Sequence, residues 1–289
     1  MIETLINPKR AERRPWEMFF IGLLYAAIAV FVVNFIFLRN QIFESHISIL
    51  IVLFTVMFSI PFFFYIIQIE EDKDVKIKGE KKLLKEHGRA LSALMFLFLG
   101  YVVAFSIIFI IMPKDMAETN FRIQLQTYCS INSNANINDC TYSLLTGKIT
   151  GDAVGIKEGM SRVSSILSNN FYVLIFSLLF SFLFGAGAIF ILAWNASVIA
   201  AAIGVFAKSN IVNLPAGMLR YLFHGLPEIS SYFIVALAGG IIGTAIIKHE
   251  FGTEKFWRVL QDSLDLVILA LVVLIVSAFI EVFITPLFF

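Results

Sequence analysis

Residues 90–111 read ALSALMFLFLGYVVAFSIIFII, and this run contains no charged side chain. About 20 apolar residues are enough to cross a hydrocarbon core of roughly 30 Å as an α-helix. The chain as a whole is 59% hydrophobic and 15% charged, which is too apolar for a water-soluble domain. The run is therefore predicted to be one transmembrane helix among several, with the lipid bilayer as much of its solvent.

Further apolar segments of similar length lie on both sides of this run. All of them are expected to be helices, because an open strand edge in lipid would leave backbone amides unpaired. The sequence thus predicts an all-α membrane protein, a polytopic bundle of about seven transmembrane helices. The predicted spans are Met18–Leu38, Ile47–Ile67, Ala90–Ile111, Phe171–Trp194, Ala196–Val212, Ile229–Ile247 and Leu264–Ile284.

Lysine and arginine are concentrated between spans two and three, where residues 73–89 hold seven of them. Positive charge favours the cytoplasmic side, so this loop and the N-terminus are expected on the cytoplasmic side of the cell membrane. The loop 113–168 is poor in basic residues and is expected outside. With seven full spans, residues 248–258 are expected on the cytoplasmic side and the C-terminus outside. If the fifth span were re-entrant, these two segments would exchange sides.

Cys129 and Cys140, the only cysteines in the chain, both fall in the predicted external loop. An external location is oxidising, which favours a disulfide bond between them. No nearby histidine or third cysteine completes a zinc set with these two thiols.

Small residues recur in the predicted sixth span, where Gly239, Gly240 and Gly243 follow Ala236. Small side chains at such spacing let helix backbones approach closely in lipid. These glycines are therefore predicted to lie at tight contacts between helices. The alternative is that they are hinges in a transporter that changes conformation. Asn34 in the first span is expected to hydrogen-bond a neighbouring helix.

The segment that precedes span six is apolar but is interrupted by glycine and proline. Gly225 and Pro227 predict a break in the helix, because proline lacks the amide donor and clashes with the preceding turn. Irregular backbone at membrane depth must be surrounded by protein or line a cavity. The sequence therefore predicts a broken or re-entrant helix before span six.

Three ionisable residues stand out near this predicted break: His224, Glu228 and Glu281. Ionisable groups inside spans are costly and mark candidate functional sites. Three interpretations are open. The residues can satisfy the interrupted backbone, bind a divalent metal such as zinc that activates water, or relay protons and cations in a transporter.

No motif of a soluble catalytic domain is present, such as a phosphate-binding loop ending in Lys-Ser or Lys-Thr, or a Gly-x-Ser-x-Gly elbow. A net charge of +1 gives no indication of nucleic-acid binding. Enzymatic activity is not predicted from these residues.

Several short motifs in the second half of the chain resemble the stage II sporulation protein M family. They are Asn169-Asn170, Gly185-Ala-Gly187, Asn195, His224-Gly-Leu-Pro-Glu228 and Ile280-Glu281-Val-Phe-Ile-Thr-Pro286. The resemblance covers roughly residues 90–289, which it identifies as a five-span core that includes loop 113–168. Residues 1–89 then form a two-span N-terminal extension.

The resemblance implies a membrane scaffold that works with membrane-protein partners or further copies of itself, and it implies no enzyme activity. The sporulation member belongs to a complex that remodels the cell wall, whereas similar proteins occur in bacteria and archaea that never sporulate. The expected function is a non-enzymatic component of a membrane or envelope remodelling assembly. The alternatives are a transporter or channel using the intramembrane carboxylates, and an intramembrane metal-dependent hydrolase built on His224, Glu228 and Glu281.

Overall fold

The computed structural model describes residues 8–38, 40, 42–76, 80–132, 156–184, 188–208, 211–248 and 252–288. Within these ranges nearly every residue is helical, and no strand is present. Seven of the described helices are long and apolar enough to cross a membrane. The predicted all-α class with about seven transmembrane helices is confirmed.

The described residues form a succession of α-helices. Their bounds are α1 Pro8–Arg13, α2 Glu17–Phe37, α3 Ile47–Lys76, α4 Glu80–Ile111, α5 Lys114–Asn132, α6 Ile156–Phe184, α7 Ala188–Lys208, α8 Leu214–Ile247, α9 Glu254–Phe279 and α10 Thr285–Phe288. A π-helical turn, Ile280–Ile284, separates the last two helices. The spans are α2, α3, α4, α6, α7, α8 and α9, the last of which continues through the π turn into α10.

Helix α8 is the centre of the bundle. In the most apolar 18-residue stretch of each helix, 78% of the residues of α8 are buried, compared with 22% in α6 and in α9. It packs against α3, α4, α6, α7 and α9. The side chains that α8 carries are therefore enclosed by other helices, which makes it the element that positions the candidate site.

Glycines set the separation of α8 from α6 and α3. A Cβ atom added at Gly239 would lie 2.5 Å from the Leu178 carbonyl oxygen, and one at Gly243 would lie 2.5 Å from that of Phe182. A Cβ at Gly240 would meet the Ile67 side chain on α3. These backbones can lie this close only because the glycines have no side chain.

The structure corrects the predicted helix break at Gly225 and Pro227. Helix α8 runs without interruption through both residues. Pro227 removes the amide donor that would serve the carbonyl of Phe223, four residues earlier. The next carbonyl, that of His224, accepts a hydrogen bond from Ser277 on α9 at 2.9 Å. Transmembrane helices tolerate proline where neighbouring helices and serine side chains supply such backbone contacts.

The structure also corrects the extent of the predicted loop 113–168. Helix α5 occupies Lys114–Asn132, and α6 already begins at Ile156. Ala117, Phe121 and Leu125, four residues apart, are buried against the bundle. Such spacing places them on one face of a helix, so α5 is an amphipathic helix docked on the spans.

Polar side chains fix α5 to its neighbours. Asn34 on α2 donates to the Asn120 side-chain oxygen at 2.6 Å, which confirms the predicted contact of Asn34 with another helix. Gln124 donates to the Ser48 carbonyl at 3.3 Å and to the Ser197 hydroxyl at 3.2 Å. The helix therefore joins α2, α3 and α7.

The predicted disulfide involves α5 as well. Cys129 is buried on this helix, whereas Cys140 lies outside the described residues, as do Gly185 and Gly187 of the family motif. The pairing of Cys129 with Cys140 therefore stays a prediction.

Charged side chains cluster at the end of the bundle where α3 ends. Lys73 donates to Glu12 of α1 at 2.8 Å and to Glu70 at 2.6 Å. Lys248, which follows α8, pairs with Glu71 and lies 3.2 Å from Asp72. We call these residues the charged end. They fasten α1 and the segment after α8 to α3.

Candidate functional site

The candidate site lies between α8 and the π turn of the last span. His224 and Glu228 are one turn apart on α8, and Pro227 lies between them. Glu281 is on the π turn Ile280–Ile284. Single π turns inside helices occur frequently at functional sites. The three predicted residues therefore lie on the turn of α8 that contains Pro227 and on the π turn of the last span.

Glu228 is held by polar side chains of two helices. The Tyr232 hydroxyl, one turn further along α8, donates to its carboxylate at 2.8 Å. Asn170 on α6 is a second hydrogen-bond partner of the carboxylate. The Asn169 side chain donates to the Asn170 oxygen at 3.1 Å, which leaves the Asn170 amide nitrogen to donate to Glu228.

Glu281 lies within electrostatic range of two charged groups. Glu228 is close enough for the two carboxylates to repel each other. Arg162, exposed on α6, is close enough to attract Glu281. The site therefore combines two carboxylates with one guanidinium, drawn from three segments of the chain.

His224 is held by the last span. Its Nδ1 atom lies 3.4 Å from the Thr285 hydroxyl oxygen. Its carbonyl oxygen accepts the hydrogen bond from Ser277. These contacts fasten the turn of α8 around Pro227 to α9 and α10, while Glu228 is fastened to α6.

The profile of the family described as Stage II sporulation protein M matches residues 90–286. The chain belongs to this family. An uncharacterized protein of Methanocaldococcus jannaschii is 32% identical over 130 residues, which span 42% of this chain and 70% of that relative. No solved structure matches the chain.

Every residue of the candidate site falls within the stretch matched to the Stage II sporulation protein M family, whereas α1, α2 and α3 precede it. The helices outside the match nevertheless share one continuous apolar core with those inside it. The division into an extension, 1–89, and a core, 90–289, stays a prediction.

Metal binding needs three or more suitable side chains that converge. In the part of the chain that the structure describes, no group of three His, Cys, Asp or Glu side chains could hold a metal ion. The structure therefore does not bring His224, Glu228 and Glu281 together as such a group, and metal binding by these residues stays a prediction. Their contacts differ: His224 lies near Thr285, and Glu228 accepts from Tyr232.

Sequence reasoning missed the partners of the carboxylates. Tyr232 could have been found, because it is four residues from Glu228 and so lies on the same helical face. Asn170 and Arg162 both lie on α6, but nothing in the sequence indicates that α6 runs beside α8. That proximity follows from the glycine contacts described above.

Helix α6 presents a row of exposed polar side chains beside this site. We call them the α6 polar face. The helix is nevertheless apolar enough to count as a span from Gly159 to Leu183. Exposed aromatic residues begin only at Phe171. The α6 polar face comprises Ser161, Arg162, Ser164, Ser165, Ser168 and Asn169.

Proposed function

We propose that the chain is a non-enzymatic integral membrane scaffold that holds a membrane partner, or a second copy of itself, within an envelope or membrane remodelling assembly. The single observation that carries the proposal is the α6 polar face. Exposed polar side chains on a span are costly when they contact hydrocarbon. They become favourable where another helix supplies hydrogen-bond partners.

The spacing of these side chains suits a helical partner. Ser161, Ser165 and Asn169 are four residues apart, and Ser164 and Ser168 form a second row beside them. Small side chains at four-residue spacing allow two helix backbones to come close, and serine and asparagine hydrogen-bond across such contacts.

The rigidity of the rest of the bundle supports the same proposal. Glycines 239 and 243 hold α8 against the backbone of α6, and the charged end ties α1 and α3 together. A scaffold must present its binding face in a fixed geometry, and interfaces with little backbone adjustment cost less to form.

The test is crosslinking inside native membranes, followed by identification of the captured proteins by mass spectrometry. We expect defined partners, or a dimer of the chain, whose yield falls at least fivefold in Ser165→Leu. The matched control is Phe176→Leu, an exposed apolar position on the same helix. Equal yields from Ser165→Leu and the wild type would contradict the proposal.

A transporter or channel is the second candidate function, and the carboxylates favour it. Glu281 lies on a π turn and Glu228 follows Pro227, and acidic residues at membrane depth mark ion and proton pathways in transporters. Reconstituted liposomes with an encapsulated pH dye would show proton flux that is lost in Glu228→Gln and in Glu281→Gln. Absence of flux in the wild type would remove this candidate and leave the scaffold proposal untouched.

A further inference from the structure

A groove opens between α4 and α9, with α8 as its floor. Its volume is about 210 Å³, and it is lined by His87, Gly88 and Leu91 of α4, Ile234 and Leu237 of α8, and Leu266 and Leu269 of α9. All of these residues fall within the candidate spans. The groove is distinct from the carboxylate site.

We propose that the groove binds one acyl chain of a bilayer lipid. The first argument is its lining, which is apolar apart from His87. An apolar lining offers water few hydrogen-bond partners and favours an apolar guest. Because the lining residues belong to membrane spans, the bilayer supplies the guest.

The size of the groove argues against a larger occupant. A single turn of α-helix with its side chains, 10–12 Å across and 5.4 Å long, fills about 400–600 Å³, which is more than the groove volume of about 210 Å³. A hydrocarbon chain is much thinner than a helix. Gly88 widens the groove further, because a Cβ atom added there would meet nothing within 4 Å.

The position of the groove along α9 matches the depth of an acyl chain. Trp257 is exposed on the same helix, and tryptophan side chains favour the interface between headgroups and hydrocarbon. Leu266 and Leu269 follow Trp257 by nine and twelve residues, or roughly 13–18 Å along the helix. A lipid whose headgroup lies at the level of Trp257 therefore places its chain beside these leucines.

The experiment fills the groove at Gly88. Gly88→Phe places a ring in the open space, while Gly88→Ala adds one methyl group and is the matched control. Both variants are expected to fold, because neither side chain meets an existing atom at its Cβ position. Leu269→Trp narrows the groove from the opposite wall and serves as an independent second variant.

Protein reconstituted with phosphatidylglycerol carrying C16 and C18 chains is extracted in mild detergent and weighed by native mass spectrometry. We expect one retained lipid per chain in the wild type and in Gly88→Ala, and at least a tenfold lower occupancy in Gly88→Phe and Leu269→Trp. Equal lipid retention in all four proteins would overturn the proposal. So would a wild type without bound lipid, or loss of a co-purified protein in Gly88→Phe with lipid retention unchanged.

Discussion

Gly239 determines how closely α6 and α8 can lie. A methyl group there would lie 2.5 Å from the Leu178 carbonyl oxygen and 3.2 Å from the Phe182 amide nitrogen. Both are backbone atoms, so the steric clash can be relieved only if one of the two helices moves. Gly225 on the same helix differs, since its added Cβ would find only the Ile199 side chain at an ordinary 3.6 Å.

We therefore expect Gly239→Ala to lower the free energy of unfolding by about 1–3 kcal/mol, as overpacking of a tight interface does. Gly225→Ala is the control and should be neutral or stabilising by up to about 1 kcal/mol, because alanine has the higher helix propensity. Thermal unfolding of both variants in detergent measures the difference. Equal melting temperatures would show that the α6 to α8 contact is looser than described.

Lys248 is the residue that fastens the end of α8 to α3. Burial alone would lower the pKa of Lys248, but its hydrogen bonds to Glu71 and Asp72 outweigh burial and raise the pKa. A raised pKa stabilises the folded state below the unfolded pKa of about 10.4, and this contribution is lost as pH rises through the folded value.

Lys248→Ala should reduce stability by about 1 kcal/mol at neutral pH, because the lysine is partly exposed and its ion pair is screened by solvent. Lys248→Arg keeps the charge and should retain most of the stability. Chemical denaturation at pH 7 compares the variants, and a repeat at pH 11 should shrink the gap between wild type and Lys248→Ala. A gap that stays constant would assign the effect to packing.

At the scale of whole elements, hydropathy predicted the number of spans, but it placed the fourth at Phe171–Trp194, whereas the structure has Gly159–Leu183, and it failed for α5. The apolar runs of α2, α4 and α9 stand out because lipid requires long apolar stretches. Helix α5 is short of apolar residues overall, and only the four-residue spacing of Ala117, Phe121 and Leu125 indicates its buried face. Its polar contacts depend on residues from three other helices, which no local pattern reveals.

The candidate site was predictable only in part, because sequence shows which residues are unusual but not which helices are in contact. Glu228 and Glu281 are conspicuous in sequence because they interrupt apolar runs. The contact of Ser277 with the His224 carbonyl was not predictable, since the two residues are 53 positions apart in sequence. The neighbours Asn170 and Arg162 likewise require knowledge of which helices touch.

The asparagine pair that docks α5 gives an element-scale prediction. Asn34 and Asn120 exchange two side-chain hydrogen bonds, at 2.6 and 3.2 Å. A double-mutant cycle with Asn34→Ala and Asn120→Ala should give a coupling of about 0.6 kcal/mol, the usual size for polar contacts between membrane helices. Unfolding free energies of the four proteins measure it, and strictly additive losses would show that the pair does not hold α5.

At the scale of the whole molecule, α1 and the segment after α8 lie together at the charged end of the bundle. Helix α5 lies at the opposite end. With cysteines 129 and 140 replaced by serine, Lys255→Cys should react with an impermeant maleimide only after cell lysis. Lys114→Cys should react in intact cells, because the basic segments favour the cytoplasmic side. Reaction of Lys255→Cys in intact cells would instead indicate that α7 does not cross the membrane.

The central position of α8 has a consequence for biosynthesis. It is the sixth of the seven spans to leave the ribosome, yet it packs against five of the others. Until Leu214–Ile247 is inserted, the earlier helices surround an unfilled centre and expose the polar side chains meant to contact it. A nascent chain that stalls before Leu214 would therefore be a substrate for membrane quality-control proteases. Insertion of α8 completes the core of the bundle.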